Sequence, residues 1–317
     1  MREVSSPAEA AHALSRGNLA ILPTETVYGL GADADNREAV GRIFTTKNRP
    51  ANHPVIVHIA QQEHIYMWAT DIPEYALDLG TAFWPGPMTL VVKRLPRAGD
   101  YLTGGQETVA LRISSHPVFQ EVITELARST KDPSVGIAAP SANRFGSVSP
   151  TTLAHAIEEL GDYLTDEHVA LDGGSSHVGV ESTIIDATGS EPIILRHGGI
   201  TAEDIESIVR LSQSESEVRA PGTLASHYAP SKELKLTTQS ELLEKTPGAL
   251  IALSDIKTPI GFNRIATPKN ANEYAQILYS SLRDADKSSE AVIYAIPPIG
   301  GGIAAAIRDR LNRAATK

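Results

Sequence analysis

A run of polar residues interrupts an apolar segment near the amino terminus. Residues 19–22 predict a buried strand, and the stretch LPTETVYGLG, residues 22–31, continues it with threonine, glutamate and tyrosine. Hydroxyl and carboxylate groups directly after a buried strand can hydrogen-bond a small polar molecule. Gly29 and Gly31 then permit a tight turn or a close backbone approach. Their match to a dinucleotide-binding glycine pattern is weak, because polar residues separate them from the strand.

Two cations separated by a single residue, Lys47 and Arg49, follow a helix predicted over residues 36–46. Pro50 and Pro54 bound a stiff loop that carries His53. Two cations and an imidazole at a loop rim suit a phosphate group. The alternative is that the cations only complement the dipole at the carboxyl end of the helix.

The segment APSANRFGSVSPTT, residues 139–152, leads from a predicted strand into a predicted helix. Ser141 and Asn143 offer short polar groups, and Ser149 precedes the helix. Hydroxyls and backbone amides at such a helix start suit phosphate oxygens. A capped turn is the alternative for Ser149.

Two arginines lie in or at the end of apolar strands. Arg112 interrupts VALRI, residues 109–113, and a buried guanidinium needs a partner. That partner is either a bound carboxylate or a buried aspartate or glutamate. Arg196 ends the strand in ILRHGG, at the edge where open α/β sheets place their ligands.

Other patterns carry less information. The stretch IGGGIAAAIRDR, residues 299–310, predicts either an anion site at a helix start or a plain turn. Lys93, Arg94 and Arg97 form either a basic patch for RNA or a solvated strand end. The histidines show no metal-ligand spacing, and there is no phosphate-binding P-loop motif.

The composition narrows the class of protein. The chain has 317 residues, 41% of them apolar, a formal net charge of −10 and no cysteine. Thiolate catalysis and disulfides are therefore excluded. No apolar run approaches the roughly 18–20 residues of a membrane span, and no hydrophobic signal core opens the sequence. We expect a soluble cytoplasmic protein without a membrane partner.

The hydrophobic periodicity predicts α/β structure in two domains. We expect a catalytic domain over residues 1–211, a linker over 212–232 and a second domain over 233–317. The linker is rich in serine, proline and glycine. Strands and helices alternate after it, which indicates a small parallel sheet of Rossmann-like type. Within the first domain, one of the helices is predicted over residues 202–211.

In combination, these motifs closely resemble the L-threonylcarbamoyl-AMP synthase family in its long, two-domain form. The resemblance runs through LPTETVYGLGADA, KNRPANHPVIVHI, FWPGPMTLVV, VALRI, APSANRFGSVSPT, GVEST and LRHGGI, and then APGTLASHYAP. It covers essentially the whole chain. It implies a YrdC-like open twisted mixed sheet with a large concave cavity, followed by the small Rossmann-like domain.

The resemblance also implies an activity. The enzyme would convert ATP, L-threonine and bicarbonate into threonylcarbamoyl-AMP and pyrophosphate, with Mg2+ carried on ATP and no metal ligand in the protein. A downstream tRNA threonylcarbamoyl transferase complex would pass the group to adenosine 37 of tRNAs that read ANN codons. A weak contact with tRNA itself is compatible with this role.

By resemblance, functional roles fall on residues that the patterns already single out. Gly29 and Gly31 would let the backbone approach the substrate. Lys47, Arg49, Ser141 and Asn143 carry the family's Lys-x-Arg and Ser-x-Asn catalytic signatures. The residues expected around threonine are Thr26, His58, Arg112, Ala139 and Ser182. Those expected around ATP are Arg49, His53, Thr108, Ser141, Ser149 and Arg196, with either His227 or Tyr228 from a linker that closes over the cavity.

Two other functions stay open. One is a non-enzymatic RNA-binding module, which the acidic balance disfavours. The other is a different carbamoyl transfer on the same fold, which the intact threonine-site pattern disfavours.

Overall fold

The computed structural model describes residues 1–223 and 227–316. Residues 224–226, in the predicted linker, and residue 317 lie outside the described residues. The strands of the first domain are β1 (Arg2–Val4), β2 (Ala20–Leu22), β3 (Gly29–Asp33), β4 (Ile56–His58), β5 (Met88–Lys93), β6 (Thr108–Arg112), β7 (Ile137–Ala138), β8 (Val169–Leu171), β9 (Thr183–Asp186) and β10 (Ile193–Arg196). Its helices are α1 (Pro7–Ser15), α2 (Arg37–Lys47), α3 (Glu74–Phe83), α4 (Asp100–Thr103), α5 (Pro117–Thr130), α6 (Leu153–Leu160) and α7 (Ala202–Glu206).

Within residues 1–223, the strands form one ten-stranded mixed sheet in the order β1-β8-β2-β3-β7-β4-β6-β5-β9-β10. The second domain has β11 (Glu233–Leu236), β12 (Ala249–Ile251), β13 (Asn263–Ala266) and β14 (Val292–Ala295), with helices α8 (Gln239–Leu242), α9 (Ala271–Lys287) and α10 (Ile303–Ala315). Its sheet has the order β11-β14-β12-β13, and every pair is parallel. The predicted mixed sheet followed by a small parallel sheet is therefore confirmed. The boundaries at 211 and 233 stay predictions.

Local sequence signals explain where the helix before the cation pair begins and ends. The Asn36 side chain accepts a hydrogen bond from the Ala39 amide and caps α2. The helix ends at Asn48, which adopts the left-handed conformation with φ 52°. This turn redirects the chain so that Lys47 and Arg49, on either side of it, are both buried.

The two glycines near the amino terminus are required by strand packing, and their approach to a substrate stays a prediction. They lie in β3, a strand that the sequence did not predict, which pairs antiparallel with β2. A Cβ on Gly31 would lie 3.1 Å from Leu22 Cδ1 and 3.2 Å from Ile137 Cγ2. A Cβ on Gly29 would lie 3.2 Å from Ala139 Cβ. A side chain at either position would crowd the neighbouring strand ends.

The helix predicted over residues 202–211 is shorter than expected. It begins as a capping box, with Thr201 and Asp204 bonded reciprocally, and α7 ends at Glu206. Val209 and Leu211 still pack against the hydrophobic core of the first domain. Their apolar periodicity therefore reflects burial of a turn rather than a further helical turn.

The second domain docks on the first through its helices. Val27, Val148 and Val180 of the first domain share one buried cluster with Tyr274 and Tyr279 of α9. At the glycine-rich start of α10, Gly302 N donates to Glu203 Oε1 of the first domain at 3.1 Å. Within the described residues, no helix is both long enough and apolar enough to cross a membrane.

Candidate active site

A cavity of about 60 Å3 lies between the first domain and the described part of the linker. It is lined by Thr26, Val27, Lys47, Arg49, Ile56, His58, Arg112, Ala139, Pro140, Ser141, Asn143, Phe145, Glu181, Arg196, Pro221, Gly222, His227 and Tyr228. Most of the residues predicted for a site therefore converge on one cavity. Their roles as ligands stay predictions.

Sheet register brings the predicted threonine residues together. β4 and β6 pair in parallel with His58 opposite Arg112, so the two side chains leave adjacent strand ends. Arg112 Nη2 donates to Thr26 Oγ1 at 2.9 Å. Ala139 directly follows β7 and contributes to the same wall.

Arg112 has an internal carboxylate partner. Its Nη2 donates to Glu25 Oε1 at 2.7 Å, and Ser114 Oγ donates to the other oxygen of Glu25. Burial alone would raise the pKa of Glu25, but Arg112 and Ser114 lower it to about 2. Of the two partners considered for Arg112, the structure therefore contains the buried glutamate. Arg112 Nε is buried and finds no hydrogen-bond partner in the described part of the chain.

Buried polar atoms without partners concentrate at the cavity. Among the residues that the structure describes, they include Arg49 Nε, both ring nitrogens of His58, Asn143 Oδ1 and His227 Nδ1. Buried polar groups are normally hydrogen-bonded, so such a cluster on a single wall needs an explanation. A polar ligand that fills the cavity would satisfy it. Burial, then Arg112, lowers the pKa of His58 to about 3, so its imidazole is neutral at physiological pH.

The cation pair predicted as a phosphate site lines this cavity. Lys47 Nζ donates to the carbonyls of Ser141 and Asn143, which ties the two family signatures together. Arg49 Nη2 donates to the Pro54 carbonyl at 2.6 Å. Burial, and then the charge of Arg49, holds the pKa of Lys47 well below its usual range.

Arg196 joins the first domain to the linker. Its Nε and Nη2 donate to the Ser182 carbonyl at 3.0 and 2.9 Å, and its Nη1 donates to the Pro221 carbonyl at 2.9 Å. His227 and Tyr228 both line the cavity, and their rings lie 4.1 Å apart in an edge-to-face contact. The sequence left open which of the two contacts the nucleotide, and the structure brings both to the wall.

Four predicted residues are not lining residues of the cavity as residues 1–223 and 227–316 define it. Ser149 Oγ donates to Glu181 Oε1 at 2.7 Å, and Ser182 Oγ shares a 2.7 Å hydrogen bond with Thr89 Oγ1. These two side chains support the wall from behind. The His53 ring contacts Phe145 edge-on at 5.4 Å, and Thr108 pairs with Lys93 in the sheet.

Sequence reasoning missed Glu181, Phe145, Pro221 and Gly222 as cavity residues. Glu181 stands in the quoted segment GVEST, directly before the buried strand β9, where polar residues are equally typical of a turn. Phe145 lies between two polar motifs and shows no periodicity of its own. Its position becomes apparent only when the linker packs beside it, with the His227 ring at 5.9 Å.

Comparisons with known proteins agree with this geometry. Residues 12–198 match a family model described as "Telomere recombination" (Sua5_yciO_yrdC). Residues 200–316 match one described as "Threonylcarbamoyl-AMP synthase, C-terminal domain". A threonylcarbamoyl-AMP synthase of Pyrococcus abyssi is 35% identical over 324 residues, covering 96% of this chain and 92% of that protein. One of Bacillus subtilis is 34% identical over 331 residues, covering 97% and 92%.

A solved structure shares the architecture of both domains. The crystal structure of P. abyssi Sua5 complexed with L-threonine matches with a TM-score of 0.84 and 34% identity, covering 98% of this chain and 94% of that one. The likeness thus extends over both sheets and the segment between them. The predicted family is confirmed: the chain belongs to the Sua5/YciO/YrdC family, in the two-domain form whose relatives are named threonylcarbamoyl-AMP synthase.

Proposed function

We propose that the chain condenses L-threonine, bicarbonate and ATP into threonylcarbamoyl-AMP and releases pyrophosphate. The observation that carries this proposal is one cavity lined by two chemically different groups of side chains. Arg112 and neutral His58 form one group, and Lys47, Arg49 and Arg196 form the other. We assign the first group to an amino-acid end of the cavity and the second to a cationic end. An amino acid and a polyanion are the ligands that such a pair of ends fits.

Threonine would bind at the end that Arg112 forms. Its carboxylate would bind the guanidinium of Arg112, whose Nε has no hydrogen-bond partner among the described residues, while Glu25 holds the guanidinium in place. The neutral ring of His58 can accept a hydrogen bond from the threonine ammonium. Thr26 and the backbone of Ala139 complete the wall around the small side chain.

MgATP would bind at the cationic end. Lys47, Arg49 and Arg196 would offset the charge of the triphosphate in a protein whose net charge is −10. The described residues contain no group of three or more histidine, aspartate or glutamate side chains that could hold a metal ion. Mg2+ is proposed to reach the site bound to ATP.

The reaction needs no protein nucleophile. Bicarbonate would give CO2 and hydroxide, and the hydroxide would take a proton from the threonine ammonium to form water. The free amine would then attack CO2 and release a second proton to solvent, which leaves a carbamate. A carbamate oxygen then attacks the α-phosphorus, the bond from that phosphorus to the bridging oxygen breaks, and pyrophosphate leaves. Catalysis then rests on holding the reactants in line and stabilising charge on the phosphates.

The linker would act as a lid. Small-molecule pockets typically measure about 300–1,000 Å3, whereas this cavity measures about 60 Å3. Pro221, Gly222, His227 and Tyr228 all belong to the linker side of the wall, so displacing them would admit the substrates. When the linker closes again, it would keep water from the mixed anhydride product.

The product would supply the downstream transferase complex that modifies adenosine 37 of ANN-decoding tRNAs. Action in the cytoplasm, and any direct contact of this chain with tRNA, stay predictions.

The alternative of an RNA-binding module loses support at the basic segment, residues 93–97. Arg94 pairs with Asp100 and Glu107, and Arg97 pairs with Asp35 and Asp132, so this patch is neutralised by carboxylates.

The proposal is tested by measuring pyrophosphate release from MgATP and bicarbonate, with and without L-threonine. We expect release that requires threonine and that L-serine supports less well. Release that is indifferent to the amino acid would contradict the proposal. A steep salt-dependent affinity for bare tRNA, without any threonine-dependent release, would support the RNA-binding alternative instead.

A further inference from the structure

A carboxylate lies in the wall of the cavity that is proposed to receive a polyanion. Glu181 lines this cavity together with Lys47, Arg49 and Arg196, and it is only 6% exposed. An unpaired negative charge there would repel phosphate oxygens and would itself be costly to bury. Its presence therefore requires compensation nearby.

The compensation comes from the second domain. Arg310 Nε of α10 and the Tyr279 hydroxyl of α9 each donate to Glu181 Oε2 at 2.7 Å. The Arg310 side chain is fully buried. Burial alone would raise the pKa of Glu181, but Arg310, followed by Arg196, lowers it to about 2. The carboxylate is thus ionised and paired across the domain boundary.

Arg310 also contacts the segments on either side of the proposed nucleotide site. Its Nη2 donates to the carbonyl of His197, the residue after Arg196, at 2.8 Å. Its guanidinium carbon lies 5.2 Å from the centre of the Tyr228 ring, in the linker. Tyr228 in turn stacks on Tyr279 with ring centres 5.7 Å apart. One side chain of the second domain therefore meets the cavity wall, the strand end after Arg196 and the linker.

We infer that Arg310 is a positioning residue of the nucleotide site, which the second domain supplies to the first. By pairing with Glu181 it neutralises the carboxylate and leaves Arg196 available to the phosphates and to the linker carbonyl of Pro221. Without Arg310, Glu181 would draw on Arg196, the other cation that acts on it. Binding of ATP would then weaken, whereas threonine, held by Arg112 and its own partner Glu25, would be affected little. The inference rests on the proposed function for the identity of the nucleotide.

The test compares three variants. They are Arg310→Met alone, the double variant that combines Glu181→Gln with Arg310→Met, and Arg283→Met alone. Arg283 is a matched control, because it is a buried arginine of α9 at the same domain boundary that donates to the Val148 carbonyl and pairs with Glu159 at 3.0 Å. Binding of MgATP by calorimetry and the KM values for ATP and threonine are measured for each folded protein. We expect Arg310→Met to weaken ATP binding about tenfold or more and to change the threonine KM less than about threefold.

Rescue separates charge compensation from simple loss of packing. Because glutamine removes the charge but keeps an acceptor for Ser149, the double variant should recover ATP affinity to within about threefold of the parent. Arg283→Met should lower the Tm and leave ATP affinity within about twofold. If Arg310→Met does not fold, Tyr279→Phe, which removes one donor to Glu181, should weaken ATP binding two- to fivefold.

Two results would overturn the inference that Arg310 positions the nucleotide site. Unchanged ATP affinity in folded Arg310→Met, or in Tyr279→Phe if that protein must be used, would overturn the inference. So would a parallel loss of ATP and threonine binding that Glu181→Gln does not rescue. Both outcomes leave the proposed function intact as long as the parent protein binds MgATP and forms the adenylate. A parent that binds no MgATP would contradict the proposed function and this inference together.

Discussion

At the scale of single residues, Arg112 shows why a buried cation is informative but ambiguous. The sequence allowed an internal carboxylate or a bound one. The structure pairs Nη2 with Glu25 and leaves the buried Nε without a hydrogen-bond partner among the described residues, in a side chain that lines the cavity. The five donors of an arginine allow it to serve both partners at once.

We expect Arg112→Lys to raise the KM for threonine about tenfold or more and to change the KM for ATP less than about threefold. Lysine keeps a cation beside Glu25 but loses the planar fork that binds a carboxylate on two atoms. Arg112→Ala is the poorer test, because it leaves Glu25 as an unpaired buried charge and would cost roughly 3–5 kcal/mol of stability. Equal damage to both substrates by Arg112→Lys would contradict the assignment.

The lowered pKa of Lys47 predicts that nucleotide binding is coupled to proton uptake. Burial and Arg49 lower the pKa of Lys47 in the free protein, and a triphosphate beside it would raise that pKa again. Binding of MgATP should therefore take up protons over the pH range in which Lys47 of the free protein titrates, so that the calorimetric heat there depends on the ionisation enthalpy of the buffer. Lys47→Arg, whose charge is fixed, should lose most of this dependence. Net proton release by the parent protein would contradict the pKa direction.

Residue types predicted most of the wall but not its internal partners. The Lys-x-Arg and Ser-x-Asn signatures stand out in sequence because their spacing is short. The pairing of Arg112 with Glu25 joins positions 87 residues apart, and that of Glu181 with Arg310 joins positions 129 apart. Such pairs depend on the fold, so local spacing contains no sign of them.

At the scale of elements, parallel strand register is what assembles the proposed threonine end. β4 and β6 both end at the cavity with His58 opposite Arg112. The sequence predicted both strands from their apolar runs, but it missed β1, β3 and β13. These strands are short, and β3 contains two glycines, which are depleted in strands and lower the hydrophobic signal.

The packing of the linker predicts that substitution of Gly222 lowers activity. Its φ is +79°, and a Cβ there would lie 2.2 Å from the Tyr228 hydroxyl and 3.0 Å from Arg196 Nη1. We expect Gly222→Ala to displace the linker and to lower kcat/KM for ATP about tenfold or more. The activity assay and the rate of loss of the adenylate to water would measure this effect.

Gly105 provides the matched control for backbone strain. It has a φ of +80°, and no described atom lies within 4 Å of its added Cβ. Gly105→Ala should carry the same conformational cost, about 1 kcal/mol, without loss of activity. Similar activity in the Gly222→Ala and Gly105→Ala variants would contradict a role of the linker in activity.

At the scale of the whole molecule, basic side chains gather at the cavity although the net charge of the chain is negative. A chain with a net charge of −10 places three arginines and one lysine on the wall of one cavity, while the basic segment at residues 93–97 is paired with carboxylates. Composition predicted the acidic balance and the α/β class, but only the fold shows which cations remain available to a ligand.

Buried imidazoles predict that the protein loses stability in mild acid. The pKa values of His58 and His227 fall to about 3, chiefly through burial, from an ordinary value of 6.5. The unfolded chain therefore binds more protons than the folded one below pH 6.5, and stability decreases as the pH falls toward 3. Each group contributes at most about 1.4 kcal/mol per pH unit. Glu25 and Glu181, with an ordinary value of 4.5 and a folded pKa of about 2, add to the loss only below about pH 4.5.

The measurement is the Tm between pH 7.5 and 4.5. We expect a decline that begins near pH 6.5 and becomes shallower in His58→Asn. His12→Asn, at an exposed position of α1, should leave the slope unchanged. A Tm that stays level to pH 4.5 would contradict the burial of neutral imidazoles.

The most direct test of the central claim is the mass of the nucleotide that forms from MgATP, L-threonine and 13C-bicarbonate. The account predicts an adenylate that carries both threonine and one labelled carbon, and that disappears when any one of the three substrates is omitted. Formation of threonyl-AMP without the labelled carbon, or of no adenylate by folded protein, would contradict it.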